Sequence, residues 1–346
     1  MMIRTTLVLV SFLLPSFAFA AELVRSYPAE GDVLEAPLKS LHLWFSEAPL
    51  TTSARVKVES LGDSAVPAVE GLHSMGDDDL MAWVRGDMPD GEYRLLWSLQ
   101  ESSGEVRFAV KRPAGYVEDR WEPPLDIGIV LYDGAEPLDV FGPLEMWMNA
   151  GPDNIRVHLI AEQAGPVTLT TTSYPRDLAP RVDAPFSFET APDLDVIMVP
   201  GGIGTLVEVD NPRIISFLRE AVADVAVATS VCTGSALYAK AGLLEGVEAT
   251  GNKLFFDYLV AQGPADWKSE ARWIESGRFF TSSGVSAGID MSLAVIERFF
   301  GIDAARMIAA SAEYVWNENA ADDPFVDNLN LAVPWVDQMK EGFEAE

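Results

Sequence analysis

Two different patterns of apolar and polar positions divide the chain. Between residues 21 and 111 short alternating runs recur with turn residues between them: LKSLHLWFSEAP, ARVKVESL, LMAWVRGDM, GEYRLLWSLQ and EVRFAVKR. A period of two places one face of each strand against a core, so these runs predict the strands of a small β-sandwich. Pro28, Gly31, Pro37, Gly62, Pro67, Gly86 and Pro89-Asp90-Gly91 supply its turns. Residues 113–124, PAGYVEDRWEPP, lack an apolar period and end in two prolines, which predicts a linker. From Leu125 the runs LDIGIVLY, IRVHLIA, LDVIMVPGG and VAVATSV are continuously apolar, as in a parallel sheet buried on both faces. Helical spacing lies between or after them at 212–223, 235–243, 254–262, 289–300 and 304–315. The second half is therefore predicted as an α/β layer fold over 125–322 with a mostly parallel sheet, and 323–346 as a C-terminal tail that packs or frays.

The start of the chain changes the cellular picture. Arg4, an apolar run over 7–14 and the small-residue ending Ala18-Phe19-Ala20 predict a signal peptide over residues 1–20, and hence an exported, periplasmic protein. That run is shorter than the ~20 residues a bilayer span needs, and no later segment is long and uncharged enough to be one, so no membrane span is predicted. Charge narrows the partners. With 24 Lys and Arg against 53 Asp and Glu the chain carries a formal charge of −29, and no basic stripe exists to hold a phosphate backbone. Nucleic acid is excluded as a partner on that ground, and 49% apolar composition excludes a disordered chain.

Candidate chemistry centres on the single cysteine, Cys232, which can form no internal disulfide. It falls between the run at 225–229 and the helix opened by Gly234 and Ser235, the position of a nucleophile elbow. A helix N-terminus lowers a thiol pKa and favours a reactive thiolate, whereas a buried, inert cysteine is the plain alternative. Pro200-Gly201-Gly202 ends a core strand, where glycines serve either a tight turn or the close approach of backbone to a ligand. Asp139 fits a helix N-cap ahead of Phe141-Gly142-Pro143 as well as it fits a site.

Two resemblances rest on quoted strings. AELVRSYPAEGDVLEAPLKSLHLWFSEAP with MPDGEYRLLWSLQESSGEVRFAV, over residues 21–112, resembles the CopC family of exported copper-resistance proteins, which implies an immunoglobulin-like all-β sandwich. That family usually offers copper a histidine at the mature N-terminus and an Asp-Gly-His; here those places hold Ala21 and Ser103-Gly104-Glu105. The remaining histidines of this half are His42, within a strand pattern, and His73, in a loop, so no metal or other cofactor is expected, and copper stays possible only without its usual ligands. The strings GAEPLDVFGPLEMW, VPGGIGT, TSVCTGSALYAKAGLLEG, ATGNKLFFDYL and TSSGVSAGIDMSLAVIE resemble the ThiJ/PfpI family of the class I glutamine amidotransferase-like superfamily, and among its members most resemble isonitrile hydratases and AraC-type sensor domains.

This second resemblance implies a flavodoxin-like domain and a homodimer. It also implies Cys232 as nucleophile, Asp139 as the carboxyl hydrogen-bonded to it, and the backbone N–H groups of Gly202 and Thr233 as an anion-stabilising pair supported by Gly201. One departure is plain: many relatives carry histidine where this chain has Asn252, and asparagine cannot shuttle a proton at neutral pH. Peptidase or amidotransferase chemistry of the Cys-His kind is thus disfavoured, and His158, within a strand pattern, is expected to be structural. The working set becomes Cys232, Asp139, Thr233 and water. The expectation is a cysteine-dependent hydratase or hydrolase of a small electrophile, isonitrile-hydratase-like; the alternatives are a non-catalytic thiol sensor or ligand-binding module, and copper handling through the first half.

Overall fold

The computed structural model describes residues 21–35, 37–62, 67–74, 78–86, 88–112 and 124–345. The expected signal peptide and all but the last residue of the expected linker lie outside the described residues. The chain divides into two units near residue 113. The smaller contains β1 (Leu23–Tyr27), β2 (Val33–Leu34), β3 (Ser40–Phe45), β4 (Arg55–Ser60), β5 (Ala68–His73), β6 (Asp79–Arg85), β7 (Gly91–Ser98) and β8 (Ser103–Val110). Among the described residues they form two four-stranded sheets, ordered β1-β3-β6-β5 and β2-β8-β7-β4. Alternation sets the packing: Leu41, Leu43, Leu80 and Ala82 from one sheet and Val58, Leu95, Val106 and Phe108 from the other are buried in one shared core. The five alternating runs are strands, as expected. β1 and β5 carry no clean alternation; Gly71 with φ +65 coincides with an irregular register in β5. His73 ends β5 rather than lying in a loop.

The larger unit begins with β9 (Leu125–Leu131), α1 (Pro137–Met148) and β10 (Ile155–Ala161). There follow β11 (Gly165–Thr168), β12 (Arg181–Ala184), β13 (Phe186–Ser187) and β14 (Val196–Val199). After these come α2 (Thr205–Glu208), α3 (Pro212–Asp224), β15 (Val227–Val231), α4 (Ser235–Lys240), β16 (Glu248–Ala249) and α5 (Phe256–Val260). The unit ends with β17 (Asp266–Trp267), β18 (Trp273–Ser276), β19 (Phe279–Ser282), α6 (Ala287–Phe300), α7 (Ile302–Ser311) and α8 (Val336–Ala345). The main sheet among the described residues is ordered β13-β10-β9-β14-β15-β19-β18, and only β18 against β19 is antiparallel. β14 and β15 are buried along their whole lengths, which is why they read as unbroken apolar runs.

Two local results bear on the site. α1 runs through Gly142-Pro143, and the glycine lets it approach α6 closely: a Cβ on Gly142 would lie 2.7 Å from Ile289 Cγ1. Its N-cap is Glu136, so Asp139 sits inside the first turn and is not the cap. The segment after residue 322 packs onto the α/β unit: Asn330 N–H donates to Lys253 O at 2.8 Å and Ala332 N–H to Leu254 O at 3.0 Å.

Candidate functional site

Cys232 follows β15 directly and opens a 3-10 turn (Cys232–Gly234) that runs into α4. It adopts φ +61, a left-handed conformation that a side chain tolerates only where neighbours hold it. They do: Cys232 N–H donates to Ser283 O at 3.2 Å and its carbonyl accepts from Asn252 N–H at 3.1 Å. Glycines make room on every side. A Cβ on Gly201 would lie 2.4 Å from Thr233 N, and one on Gly234 2.3 Å from Val199 O.

Three donors converge on the sulfur. Asn252 Nδ2 lies 2.9 Å from Sγ, and the backbone N–H groups of Thr233 and Val285 also point to it. The Asn252 amide is held in that sense because its Oδ1 caps the next turn, accepting from Leu254 N–H at 2.8 Å. Asparagine therefore occupies the histidine's place as a fixed donor with no proton to lose. Of the expected anion-stabilising pair, Thr233 N–H faces the sulfur, whereas Gly202 N–H is held by Thr233 Oγ1 at 2.9 Å. Thr205 Oγ1 braces the same hydroxyl at 2.8 Å. Val285 takes the second place, with φ +27, a strained value for a β-branched residue. Sequence reasoning missed it because a backbone donor has no residue-type signal; the turn string Ser-Gly-Val-Ser ahead of α6 was the available cue.

Asp139 stands against this sulfur with no exposed surface. Gly201 N–H donates to its Oδ2 at 2.8 Å, while its buried Oδ1 has no nitrogen or oxygen donor. Burial pushes the Asp139 carboxyl well above the usual carboxylate range, only partly offset by Gly201 N–H, and neighbouring Glu136 adds to the rise. The Cys232 thiol moves the same way: burial raises it well above its ordinary value and the Asp139 charge raises it further, against the three donors that lower it. This reverses the expected helix-terminus effect. The residue is only 5% exposed, and desolvation of a thiolate outweighs the turn that follows it. Both groups thus resist ionisation, and a negative charge placed on either raises the cost on the other.

A cavity of about 250 Å³ borders Asn252 and Val285, two of the residues that face the sulfur. Leu138, Leu254, Phe325 and Asn328 line it as well. His158 stands away from it on β10, where Nε2 bonds Asp126 Oδ1 at 2.6 Å, as expected of a structural residue.

The comparisons follow this geometry. The DJ-1/PfpI family model matches residues 126–298, half of the chain. The chain belongs to the DJ-1/PfpI family. Isonitrile hydratase of Pseudomonas putida is 35% identical over 190 residues, covering 55% of this chain and 78% of that protein. Protein DJ-1 homolog A of Arabidopsis thaliana is 25% identical over 224 residues, 62% of this chain and 55% of that one. A crystal structure of a ThiJ/PfpI family protein from Pseudomonas syringae shares the fold, with a TM-score of 0.53 at 24% identity over 66% of this chain and 97% of that chain. The CopC domain model matches residues 23–111, in agreement with the two-sheet sandwich of the smaller unit.

Copper does not fit that unit at the family's usual place. Ala21 offers no imidazole, and its carbonyl is already taken by Ser102 Oγ at 2.7 Å. Glu105 is committed to Arg107 at 2.7 Å. His42 bonds Asp79 at 2.8 Å and stacks on Trp44. Among the described residues, no helix is long and apolar enough to cross a membrane.

The donor set predicts a measurable effect at Asn252. Asn252→Ala removes the side-chain donor to sulfur, and a hydrogen bond to a charged acceptor is worth about 1.5–3 kcal/mol. Alkylation of Cys232 by iodoacetamide at fixed pH is expected to slow about 10- to 100-fold. An unchanged rate removes Asn252 from the site.

Proposed function

We propose that the larger unit is a cysteine-dependent hydratase of isonitriles, acting in the periplasm after export. The observation that carries this reading is the pairing of a solitary buried thiol with a buried carboxyl of raised pKa, the thiol facing Asn252, which also lines a cavity. An isonitrile is neutral and small, and its terminal carbon must gain both a nucleophile and a proton. A protonated acid beside a sulfur supplies both, and no histidine is required.

The steps balance as follows. Cys232 Sγ attacks the terminal carbon, the S–H bond breaks, and Asp139 relays that proton to the same carbon, giving a thioimidate. Water then adds to the carbon while its proton passes to nitrogen. Negative charge on the sulfur, at its departure, meets Asn252 Nδ2 and the N–H groups of Thr233 and Val285, which are placed to stabilise it. The C–S bond breaks, the hydroxyl proton returns to sulfur through Asp139, and an N-substituted formamide leaves.

The relationship to an isonitrile hydratase at 35% identity supports the substrate class. The two features most characteristic of a redox sensor, a lowered thiol pKa and access to solvent, do not describe Cys232, so peroxide sensing receives less support. The CopC domain supports export, and a homodimer follows only from the family resemblance. Formamide release from alkyl isonitriles, followed by chromatography, tests the proposal: the full chain is expected to turn over and Cys232→Ala to be inert. Absence of turnover across alkyl and aryl isonitriles overturns it.

A further inference from the structure

We infer that Phe325, on the segment that follows the family match, is a specificity-determining residue of the Cys232 pocket, selecting ligands with an extended apolar substituent. The inference builds on the proposed hydratase reading, but it concerns the binding of the substituent and not the chemistry. The family match ends at residue 298, whereas Phe325 and Asn328 both line the cavity. The pocket is thus completed by chain that lies beyond that match.

Phe325 is held in place by buried polar contacts and not by a loose apolar fit. Asp323, two residues earlier, has a fully buried side chain that faces Lys253 Nζ at 3.4 Å. Its other carboxyl oxygen accepts Phe325 N–H at 3.0 Å. Lys253 is itself 2% exposed and anchored by Ala271 O at 2.6 Å and Thr250 Oγ1 at 2.9 Å. Lys253 follows Asn252 in the chain, so the same turn that presents the amide to sulfur holds the residue that fixes Phe325. Further along, Asp257 N–H donates to Asn330 Oδ1 at 2.7 Å, keeping the segment against the start of α5.

The chemistry of the wall then follows from its composition. The reactive end of the pocket offers N–H donors suited to a small linear group. Leu138, Leu254 and Phe325 give the cavity an apolar lining, and Phe325 remains 48% exposed, a large apolar surface for a ligand to cover.

Nitriles test this without requiring turnover, because R–C≡N has the shape of R–N≡C. Binding of propionitrile and hexanenitrile to the full chain is measured by ligand-observed NMR titration. The wild type is expected to prefer hexanenitrile, and Phe325→Ala to reduce the ratio of hexanenitrile to propionitrile affinity by ~10-fold or more, the size of effect a pocket gains from a few apolar carbons. Phe325→Leu should retain most of the preference, which separates lost contact from misfolding. No chain-length preference in the wild type, or a preference that Phe325→Ala leaves unmoved, overturns the inference. Length-dependent nitrile binding without isonitrile turnover leaves the pocket assignment standing and removes the hydratase reading; turnover insensitive to Phe325 does the reverse.

Discussion

Replacing Asp139 by Asn is expected to lower isonitrile hydration by about 10²- to 10⁴-fold, the usual contribution of a positioned acid or base, while making the folded protein no less stable. The amide oxygen of Asn can still accept Gly201 N–H, so the one hydrogen bond that holds the carboxyl survives. The relayed proton does not. The stability side has a definite sign. Burial raises the Asp139 pKa in the folded state above its unfolded value, so the carboxyl's favourable contribution is complete below about pH 4 and is lost as pH rises through the folded value. Across that window the wild type loses up to about 1.4 kcal/mol per pH unit that the asparagine variant does not lose. Urea unfolding between pH 4 and 8 should show the variant gaining on the wild type as pH increases. A variant that stays fully active, or one that does not gain on the wild type as pH rises, contradicts the role assigned to this carboxyl.

The second large effect is structural and lies at the far wall of the pocket. Asp323→Ala leaves Lys253 buried with its carbonyl and hydroxyl partners but without its counter-charge, and breaking a buried pair in this way costs about 3–5 kcal/mol. Burial already lowers the Lys253 pKa, so the unpaired amine should part with its proton more readily still. Urea unfolding of the full chain measures the loss. Replacing both partners by apolar residues, Asp323→Leu with Lys253→Met, is expected to recover most of it, because no charge is then left stranded. A single variant as stable as the wild type shows that the C-terminal segment is not anchored through this pair.

These two residues also show where the sequence was informative. Strands 227–231 and 196–199 are legible because burial on both faces leaves an unbroken apolar run, and Cys232 is legible because a strand, a turn and Gly234-Ser235 follow one another locally. Asn252 is legible as a departure from the histidine that the family resemblance leads one to expect. What stayed hidden depends on residues far apart in the chain. Lys253 and Asp323 meet across seventy positions, and nothing local to either announces a buried partner. Asp139 fitted an N-cap ahead of Phe141-Gly142-Pro143, whereas α1 starts at Pro137 with Glu136 as its cap, which places Asp139 in the first turn. The direction of the thiol pKa was misread for a related reason. A helix start is visible in sequence, whereas the burial and the facing carboxyl that outweigh it appear only in three dimensions.

The central claim is that carbon–sulfur bond formation at Cys232 precedes formamide release. Rapid acid quench of the full chain mixed with excess isonitrile, followed by intact-mass and peptide mass spectrometry, examines that step directly. The account predicts a mass gain equal to one isonitrile on the peptide that carries Cys232 within the first turnover, absent from Cys232→Ala. Formamide produced at an undiminished rate by Cys232→Ala contradicts it.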